Sequence, residues 1–358
     1  YLGVDVGSIS TNLVVIDEEK NVLAKCYLWT AGRPLEAIRQ GLSKIGARIS
    51  EKIKICGVCT TGSGRYLTAD FLGADIVKNE ITAQARAAIE IDPTVDTVFE
   101  IGGQDSKFIS LENGAVIDFQ MNKVCAAGTG SFLEEQAERL GIKIEQEFSQ
   151  MALKAETPLN LGERCTVFME EDLVHRQQRG AKKENLIAGL CYSIVENYLN
   201  RVVGEKKIGK NIFFQGGVAF NQGVVAAFKK VLSERSADSA DKFTVPQHHE
   251  VTGALGCALI ARENARSCPA SAFKGFDLVK RKYELKSFEC QDCANHCEIS
   301  QVIIEGEKPL YYGSRCEKYE ISRLEINPAL ARKGGADLFK EREKLLLSSY
   351  HSTIQSHA

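Results

Sequence analysis

Long hydrophobic runs are absent from this 358-residue sequence, and neither sign of charge is in excess. No apolar stretch reaches the roughly 20 residues that a transmembrane helix needs. No basic segment followed by an apolar one marks a secretory signal. The formal net charge of -2 argues against a nucleic-acid-binding surface. We therefore expect a cytoplasmic globular protein that neither enters a membrane nor binds nucleic acid.

Cysteine, in contrast, is abundant. Small secreted domains use many cysteines for disulfides, but this chain is large, carries no secretory signal and has the pattern of an α/β enzyme. We therefore interpret the cysteines as metal-binding or redox residues of a reducing compartment. The 12 cysteines occupy positions 26, 56, 59, 125, 165, 191, 257, 268, 290, 293, 297 and 316.

A pattern of short strands joined by tight turns occurs twice along the chain. The stretch "YLGVDVGSIST" begins a strand meander that leads into the helical stretch "PLEAIRQGLSKIG", and a second meander begins at Thr97. A repeat of this length predicts two similar lobes, with a ligand site in the crevice between them. One constant offset matches Asp5 to Glu100, Gly7 to Gly102 and Thr11 to Ser106.

The repeat and the change of composition near Arg266 suggest the domain plan. Because the sequence starts at Tyr1 rather than at a methionine, we also expect it to be part of a longer protein. We expect lobe I over residues 1–95, lobe II over 96–245, a helix returning to lobe I over 246–266, a Cys-rich metal-binding module over 267–326, and a charged helical tail or linker over 327–358.

Four glycine-bearing turns follow strands or begin helices. A single turn of this kind is more often only a tight turn than a ligand site, but glycine also lets backbone N–H groups approach a phosphate closely. A strand-end aspartate beside such a turn can hold Mg²⁺ through water. The repeated order favours a nucleotide site. The turns contain Gly3, Asp5 and Gly7; Gly102, Gly103, Gln104 and Asp105; Gly216, Gly217 and Asn221; and Gly253 and Gly256.

In this arrangement residues 1–262 resemble the actin, sugar-kinase and Hsp70-type ATPases. The resemblance implies an α/β chain with two ribonuclease-H-like lobes and with ATP or ADP and Mg²⁺ between them. Asp5 and Asp105 would arrange the Mg²⁺ and the attacking water with Gln104, although Glu100 stands where an aspartate is common. The implied nucleotide-binding residues are Gly7, Ser8, Ser10, Thr11, Gly102, Gly103, Gly216, Gly217, Asn221 and Gly253.

Two cysteine motifs narrow the superfamily to one branch. "VCAAGTGSFLE" contains Cys125 and "GERCTVF" contains Cys165. Together with "IGGQDSK", these motifs resemble the activators of 2-hydroxyacyl-CoA dehydratases and the ATPase subunits of benzoyl-CoA reductases. In that family a homodimer holds one [4Fe-4S] cluster between its subunits, with two cysteines from each. The resemblance thus implies Cys125 and Cys165 as the cluster ligands.

The chemistry of the two cysteines agrees with this role. Four thiolates suit an iron–sulfur cluster, and a two-fold axis turns two ligands into four. A helix N-terminus beside Cys125 would lower its thiolate pKa. The loop "AAGTG" would give the thiolate room and begin the helix that carries nucleotide-driven motion to the cluster. The alternative is that Cys125 is a small loop residue and Cys165 a buried apolar one.

The resemblance also implies the reaction and its partners. ATP binding and hydrolysis would change the angle between the lobes and drive a low-potential one-electron transfer. A reduced ferredoxin or flavodoxin would supply the electron, and an acyl-CoA dehydratase or reductase-type protein would accept it. Two rivals remain: a small-molecule kinase with Asp105 as the base, or a non-enzymatic, metal-stabilised module of a larger protein.

The remaining cysteines form two groups. Cys290, Cys293, Cys297 and Cys316 have the tight spacing of a metal site, for Zn²⁺ or for a second [4Fe-4S] cluster, and His296 could replace one ligand. The others are expected to be structural, with Cys56 and Cys59 packed in the core on one strand. This second group comprises Cys26, Cys56, Cys59, Cys191, Cys257 and Cys268.

Overall fold

A computed structural model of the chain describes residues 1–49, 53–122, 128–163, 166–235, 242–265 and 270–314. Cys125, Cys165, Cys268, Cys316 and the predicted tail over 327–358 lie outside these ranges. Within them, no helix combines the length and the apolar character that crossing a membrane demands. Residues 1–280 and residues 281–358 form two separate compact units.

The first sheet contains the N-terminal meander. Its strand order is β3-β2-β1-β4-β5, with β1 antiparallel to β2 and parallel to β4. The strands are β1 (Leu2–Val6), β2 (Ser10–Ile16), β3 (Val22–Trp29), β4 (Val58–Thr61) and β5 (Ile76–Val77), and the accompanying helices are α1 (Pro34–Gly46), α2 (Arg65–Leu72) and α3 (Glu80–Ile91).

The second sheet repeats this order. It runs β8-β7-β6-β9-β10, and its first strand is again antiparallel to the second and parallel to the fourth. The strands are β6 (Thr97–Ile101), β7 (Ser106–Glu112), β8 (Ala115–Met121), β9 (Asn211–Gln215) and β10 (Lys242–Thr244). The predicted internal repeat is therefore present as a repeat of strand order.

In the described part of the chain, five α-helices accompany the second sheet, and aromatic side chains fill its core. Phe99 of β6 lies with its ring centroid 5.1 Å from that of Tyr198 and 5.6 Å from that of Phe228, and all three side chains are fully buried. The helices are α4 (Gly130–Arg139), α5 (Ser149–Leu153), α6 (Thr166–Gln178), α7 (Lys183–Asn197) and α8 (Gln222–Arg235).

The helix α9 (Thr252–Ala265) packs between β1 and α3. Glycines make this close approach possible. A Cβ atom on Gly3 would lie 3.0 Å from the carbonyl carbon of Ala254, and one on Gly256 would lie 2.6 Å from that of Ala83. Both distances are shorter than an ordinary contact, so a larger residue at either position would force the elements apart.

The second unit contains a three-stranded antiparallel sheet in the order β11-β12-β13. The strands are β11 (Tyr283–Glu289), β12 (Glu298–Ile304) and β13 (Leu310–Tyr312), and Cys290, Cys293 and Cys297 lie on the connection between the first two. Elsewhere, Cys59 is buried in β4 as expected, but Cys56 precedes that strand and is exposed. The prediction of a buried Cys56 was wrong because the strand begins two residues later.

A candidate nucleotide site between the two sheets

The two glycine turns of the repeat meet at a cavity of about 280 Å³. Each turn follows the first strand of its sheet, and the turn after β9 and the first residues of α9 close the same space. The predicted site residues that line the cavity are Asp5, Gly7, Ser8, Ser10, Gly102, Gly103, Gln104, Asp105, Gly216, Gly217 and Gly253.

Two of the cavity glycines occupy positions that no larger residue could take unchanged. Gly216 has a φ of 94°, and a Cβ there would lie 2.9 Å from a carboxylate oxygen of Glu100. Gly253 lies so close to Asp5 that its Cβ would be 2.9 Å from the carboxyl carbon. Because these glycines have no side chain, the backbone at both positions can approach the neighbouring carboxylates closely. A phosphate site likewise requires a close approach of the backbone.

Thr11 and Asn221 do not line the cavity. Thr11 is fully buried, with its Oγ1 2.9 Å from Oγ1 of Thr30. The side-chain oxygen of Asn221 accepts hydrogen bonds from the backbone N–H groups of Gly223 and Val224, at 3.0 and 3.3 Å, near the start of α8. Both side chains support elements around the site, and their contact with a nucleotide stays a prediction.

Lys107, which sequence reasoning missed, lies at the centre of the cavity's charged groups. Its side chain is 3% exposed; Nζ donates hydrogen bonds to Glu100 at 2.9 Å and to Asp105 at 2.7 Å, and it forms an ion pair with Glu80 at 3.0 Å. Glu100 stands directly opposite Lys107 on the neighbouring strand, as Asp5 stands opposite Asn12 in the first sheet. Extending the internal repeat by one residue would have found this pair.

The cavity brings several carboxyl groups close together. Burial raises the pKa of Asp5 to about 7, and the nearby Glu80 and Asp105 add to this effect while Lys107 opposes it. Burial likewise raises the pKa of Glu100 to about 7, again against the effect of Lys107. A site of this composition attracts cations. The ionic partner of Glu100 on β6 is Lys107 on β7, so both members of this ion pair belong to the second sheet.

The side chain of Asn12 supplies an unused polar atom in the wall of the cavity. Its Oδ1 is buried and has no hydrogen-bond partner among the described residues, whereas its Nδ2 donates to Ser10 at 3.3 Å. Together with the carboxylate of Asp5, this oxygen fits the water-mediated coordination that Mg²⁺ prefers. The described residues therefore suit a Mg²⁺–nucleotide complex.

Other polar side chains of the wall come from helices rather than from turns. Gln84 of α3 is buried, and its Oε1 accepts hydrogen bonds from Gln215 and from Thr252, each at 2.6 Å. This bridge joins α3, β9 and α9 beneath the cavity. No short sequence motif predicts that Gln84 and Glu80 line the cavity, because their position depends on how α3 packs against two other elements.

The start of α4 is bonded directly to the second glycine turn. The N–H of Gly130 donates to the carbonyl of Gly102 at 2.9 Å, and that of Ser131 donates to the carbonyl of Gly103 at 2.7 Å. The hydroxyl of Ser131 donates to the same Gly103 carbonyl. These hydrogen bonds join the turn to α4, which begins five residues after Cys125 in the sequence.

The far end of α4 contacts the helix that follows Cys165. Arg139 in the last turn of α4 forms an ion pair with Glu170 of α6. Phe168, near the start of α6, is 62% exposed, so this part of α6 lies at the protein surface. A cluster shared between two subunits requires such a surface position.

Comparison with known proteins identifies the family. The sequence profile of the BadF/BadG/BcrA/BcrD ATPase family matches residues 2–261. The chain belongs to this family. Its similarity to the (R)-2-hydroxyglutaryl-CoA dehydratase activating ATPase of Acidaminococcus fermentans is 33% identity over 275 residues, which covers 74% of this chain and 97% of the relative.

Solved structures of BadF/BadG/BcrA/BcrD-type proteins confirm the predicted fold class. The (R)-2-hydroxyglutaryl-CoA dehydratase component A of Acidaminococcus fermentans has a TM-score of 0.66 at 31% identity, covering 74% of this chain and 98% of its own. The activator of the 2-hydroxyisocaproyl-CoA dehydratase from Clostridium difficile, solved with bound ADPNP, has a TM-score of 0.66 at 29% identity, covering 75% and 96%.

The Cys-rich segment lies beyond the residues that match the BadF/BadG/BcrA/BcrD ATPase family. Cys290 is buried, its thiol donates to Asp292 at 3.3 Å, and its backbone N–H donates to the carbonyl of Cys297 at 2.8 Å. No group of three or more His, Cys, Asp or Glu side chains within the described ranges is arranged to hold a metal ion. Because Cys316 lies outside those ranges, the four-cysteine site stays a prediction.

Proposed function

We propose that this protein is an ATP-dependent reductive activator. It would act as a homodimer with one bridging [4Fe-4S] cluster, held by Cys125 and Cys165 of each subunit. ATP hydrolysis would be coupled to a low-potential one-electron transfer from a ferredoxin or flavodoxin to an acyl-CoA dehydratase or reductase-type partner. The family membership and the named activities of the similar proteins support this proposal. Such chemistry belongs in a reducing cytoplasm.

The observation that carries the proposal is the bond between the nucleotide turn and α4. Gly102 and Gly103 line the cavity and accept hydrogen bonds from the first residues of α4. A small-molecule kinase needs no such connection to the helix that follows Cys125. An activator needs this connection, because the binding or hydrolysis of its nucleotide has to be coupled to its redox group.

In the nucleotide site, each group of residues would have a separate task. Asp5 would hold Mg²⁺ through water, with the free oxygen of Asn12 as a further acceptor. Asp105 and Gln104 would orient the attacking water, and Mg²⁺, when bound, would neutralise phosphate charge. Glu100 would keep Lys107 in place, which defines a role for the glutamate that departs from the common aspartate.

In the cluster site, the chain would supply thiolates at a two-fold axis. The bound cluster would provide a one-electron redox centre. The exposure of Phe168 near the start of α6 supports a surface position for the cluster that Cys165 would help to hold. Helices α4 and α6 would hold the two thiolates at a fixed separation, and the dimer would complete the ligand set.

Anaerobic reconstitution with iron and sulfide tests the cluster. We expect about four iron atoms per dimer in the wild type and a loss of most of this iron in Cys125→Ser and in Cys165→Ser. Cys56→Ser, which changes an exposed cysteine outside the motifs, is the control and should keep the full amount. A wild-type protein without a cluster, or a Cys125→Ser variant with undiminished iron, would contradict the proposal.

The connection through α4 has its own test. Ser131→Ala removes the hydroxyl that bonds to Gly103, so we expect ATP hydrolysis to persist while nucleotide-dependent changes in the cluster's optical spectrum diminish. Ser233→Ala is the matched control, because that hydroxyl also bonds to a backbone carbonyl but lies on the exposed surface of α8. Equal spectral responses in both variants would exclude this route.

A further inference from the structure

Lys107 is the one Lys, Arg or His side chain among the described residues that line the nucleotide cavity. Five carboxyl groups line the same space, those of Asp5, Glu80, Glu100, Asp105 and Glu250. A triphosphate adds further negative charge even when Mg²⁺ accompanies it. The backbone N–H groups of the glycine turns contribute dipoles but no full positive charge. A direct cationic contact from this wall to a phosphate therefore depends on Lys107.

Three carboxylates surround the ammonium group of Lys107. Two of its three N–H donors form hydrogen bonds, to Glu100 and to Asp105, whereas Glu80 lies 3.0 Å from Nζ as an ion-pair partner. For a phosphate oxygen to take the place beside Nζ that Glu80 occupies, Lys107 has to release that carboxylate.

Glu80 is the partner that can leave at least cost. Glu100 is buried and faces Lys107 directly across the β6–β7 pair, and Asp105 lies two residues away at the shortest distance. Glu80 makes the longest of the three contacts, an ion pair without a hydrogen bond, and comes from another element, as the first residue of α3. The N-terminus of that helix favours a carboxylate even without a lysine partner.

We propose that Lys107 exchanges Glu80 for an oxygen of the terminal phosphate of ATP. The Glu80 carboxylate then competes with the terminal phosphate for Lys107. Binding of a triphosphate breaks the Glu80–Lys107 ion pair, whereas binding of a diphosphate leaves it intact. Lys107 becomes the residue by which the site distinguishes ATP from ADP. This inference rests on the proposed nucleotide site and adds the side chain that senses the terminal phosphate.

The test compares the affinities for ADP and for a non-hydrolysable ATP analogue, with Mg²⁺, by calorimetry on the full chain. Glu80→Gln removes the competitor, so the preference for the analogue should rise about tenfold, the effect of one charged hydrogen bond. Lys107→Met should reduce that preference by a similar factor, and adding Glu80→Gln to it should have no further effect. Glu196→Gln, which breaks an ion pair with Arg235 outside the cavity wall, should change nothing.

An unchanged or smaller preference in Glu80→Gln overturns the inference. This variant decides the question even if Lys107→Met fails to fold, because it leaves Lys107 with two carboxylate partners. Wild-type protein that binds neither nucleotide overturns the proposed ATPase itself. Nucleotide binding by the wild type with no selective effect of Glu80→Gln overturns only the exchange.

Discussion

Replacement of Gly256 by alanine tests the packing that forms the floor of the nucleotide site. A Cβ atom at this position would lie 2.6 Å from the carbonyl carbon of Ala83, and closer still to its oxygen. An ordinary contact begins at 3.4 Å. The obstacle is the backbone of α3, which cannot rotate away as a side chain can, so α3 and α9 would have to separate.

The expected cost follows from two opposing effects. Alanine in a helix interior normally stabilises by about 1 kcal/mol relative to glycine. Forcing atoms into a packed interface costs typically 1–3 kcal/mol and more where backbone is involved. We expect a net loss of about 2 kcal/mol, which lowers the melting temperature by roughly 4–8 °C for a chain region of this size. Since Gln84 and Glu80 lie on α3, nucleotide affinity should fall as well.

Thermal unfolding followed by circular dichroism measures this effect, and Gly46→Ala provides the control. Gly46 also lies in a helix, but a Cβ there would meet the ring of Phe276 at an ordinary 3.4 Å. That variant should be as stable as the wild type or slightly more stable. If Gly256→Ala matches Gly46→Ala in melting temperature, the close approach of α9 to α3 does not restrict the size of the residue at position 256.

Three further predictions concern charge, thiols and metal. The pKa values of Asp5 and Glu100 are raised to about 7, so the folded protein holds protons that the unfolded chain has lost. Stability should therefore fall by several kcal/mol between about pH 4 and pH 7, since one pKa unit corresponds to about 1.4 kcal/mol, and it should fall less in Asp5→Asn, as denaturant titrations at several pH values would measure. In native protein a thiol reagent should modify the exposed Cys56 but not Cys191, where burial raises the pKa to about 12. In elemental analysis, Cys290→Ser should lose metal from the C-terminal segment and retain the iron of the bridging cluster; equal metal contents in wild type and variant would refute that site.

The sequence predicted the parts of the site that turns and repeats encode. Both glycine turns, Asp5 and Asp105 line one cavity because each turn follows the first strand of a sheet with the same strand order. Periodicity and the internal offset suffice for this inference. The family resemblance, which rested on the cysteine motifs and the turns, is confirmed by the match over residues 2–261.

The missing parts depend on packing between distant elements. Glu80 and Gln84 reach the cavity because α3 packs against α9 and the second sheet, and no local pattern shows that geometry. Lys107 was accessible in principle, since it occupies the place of Asn12 in the repeat. The two sheets have the same strand order, but the neutral Asn12 of the first sheet is replaced by the charged Lys107 in the second. A comparison of the glycine turns alone does not include this position.

The position of α4 has a consequence for the size of the motion that a nucleotide can cause. The helix has ten residues and is therefore about 15 Å long. Its first residues are fixed to Gly102 and Gly103, and Arg139 at its other end is paired with Glu170 of α6. A tilt of about 10° at the glycine turn would move the far end by roughly 2.6 Å, given that helix length. In the proposed activator, α4 would thus act as a lever arm that converts a small rotation at the glycine turn into a displacement of about 2.6 Å beside α6.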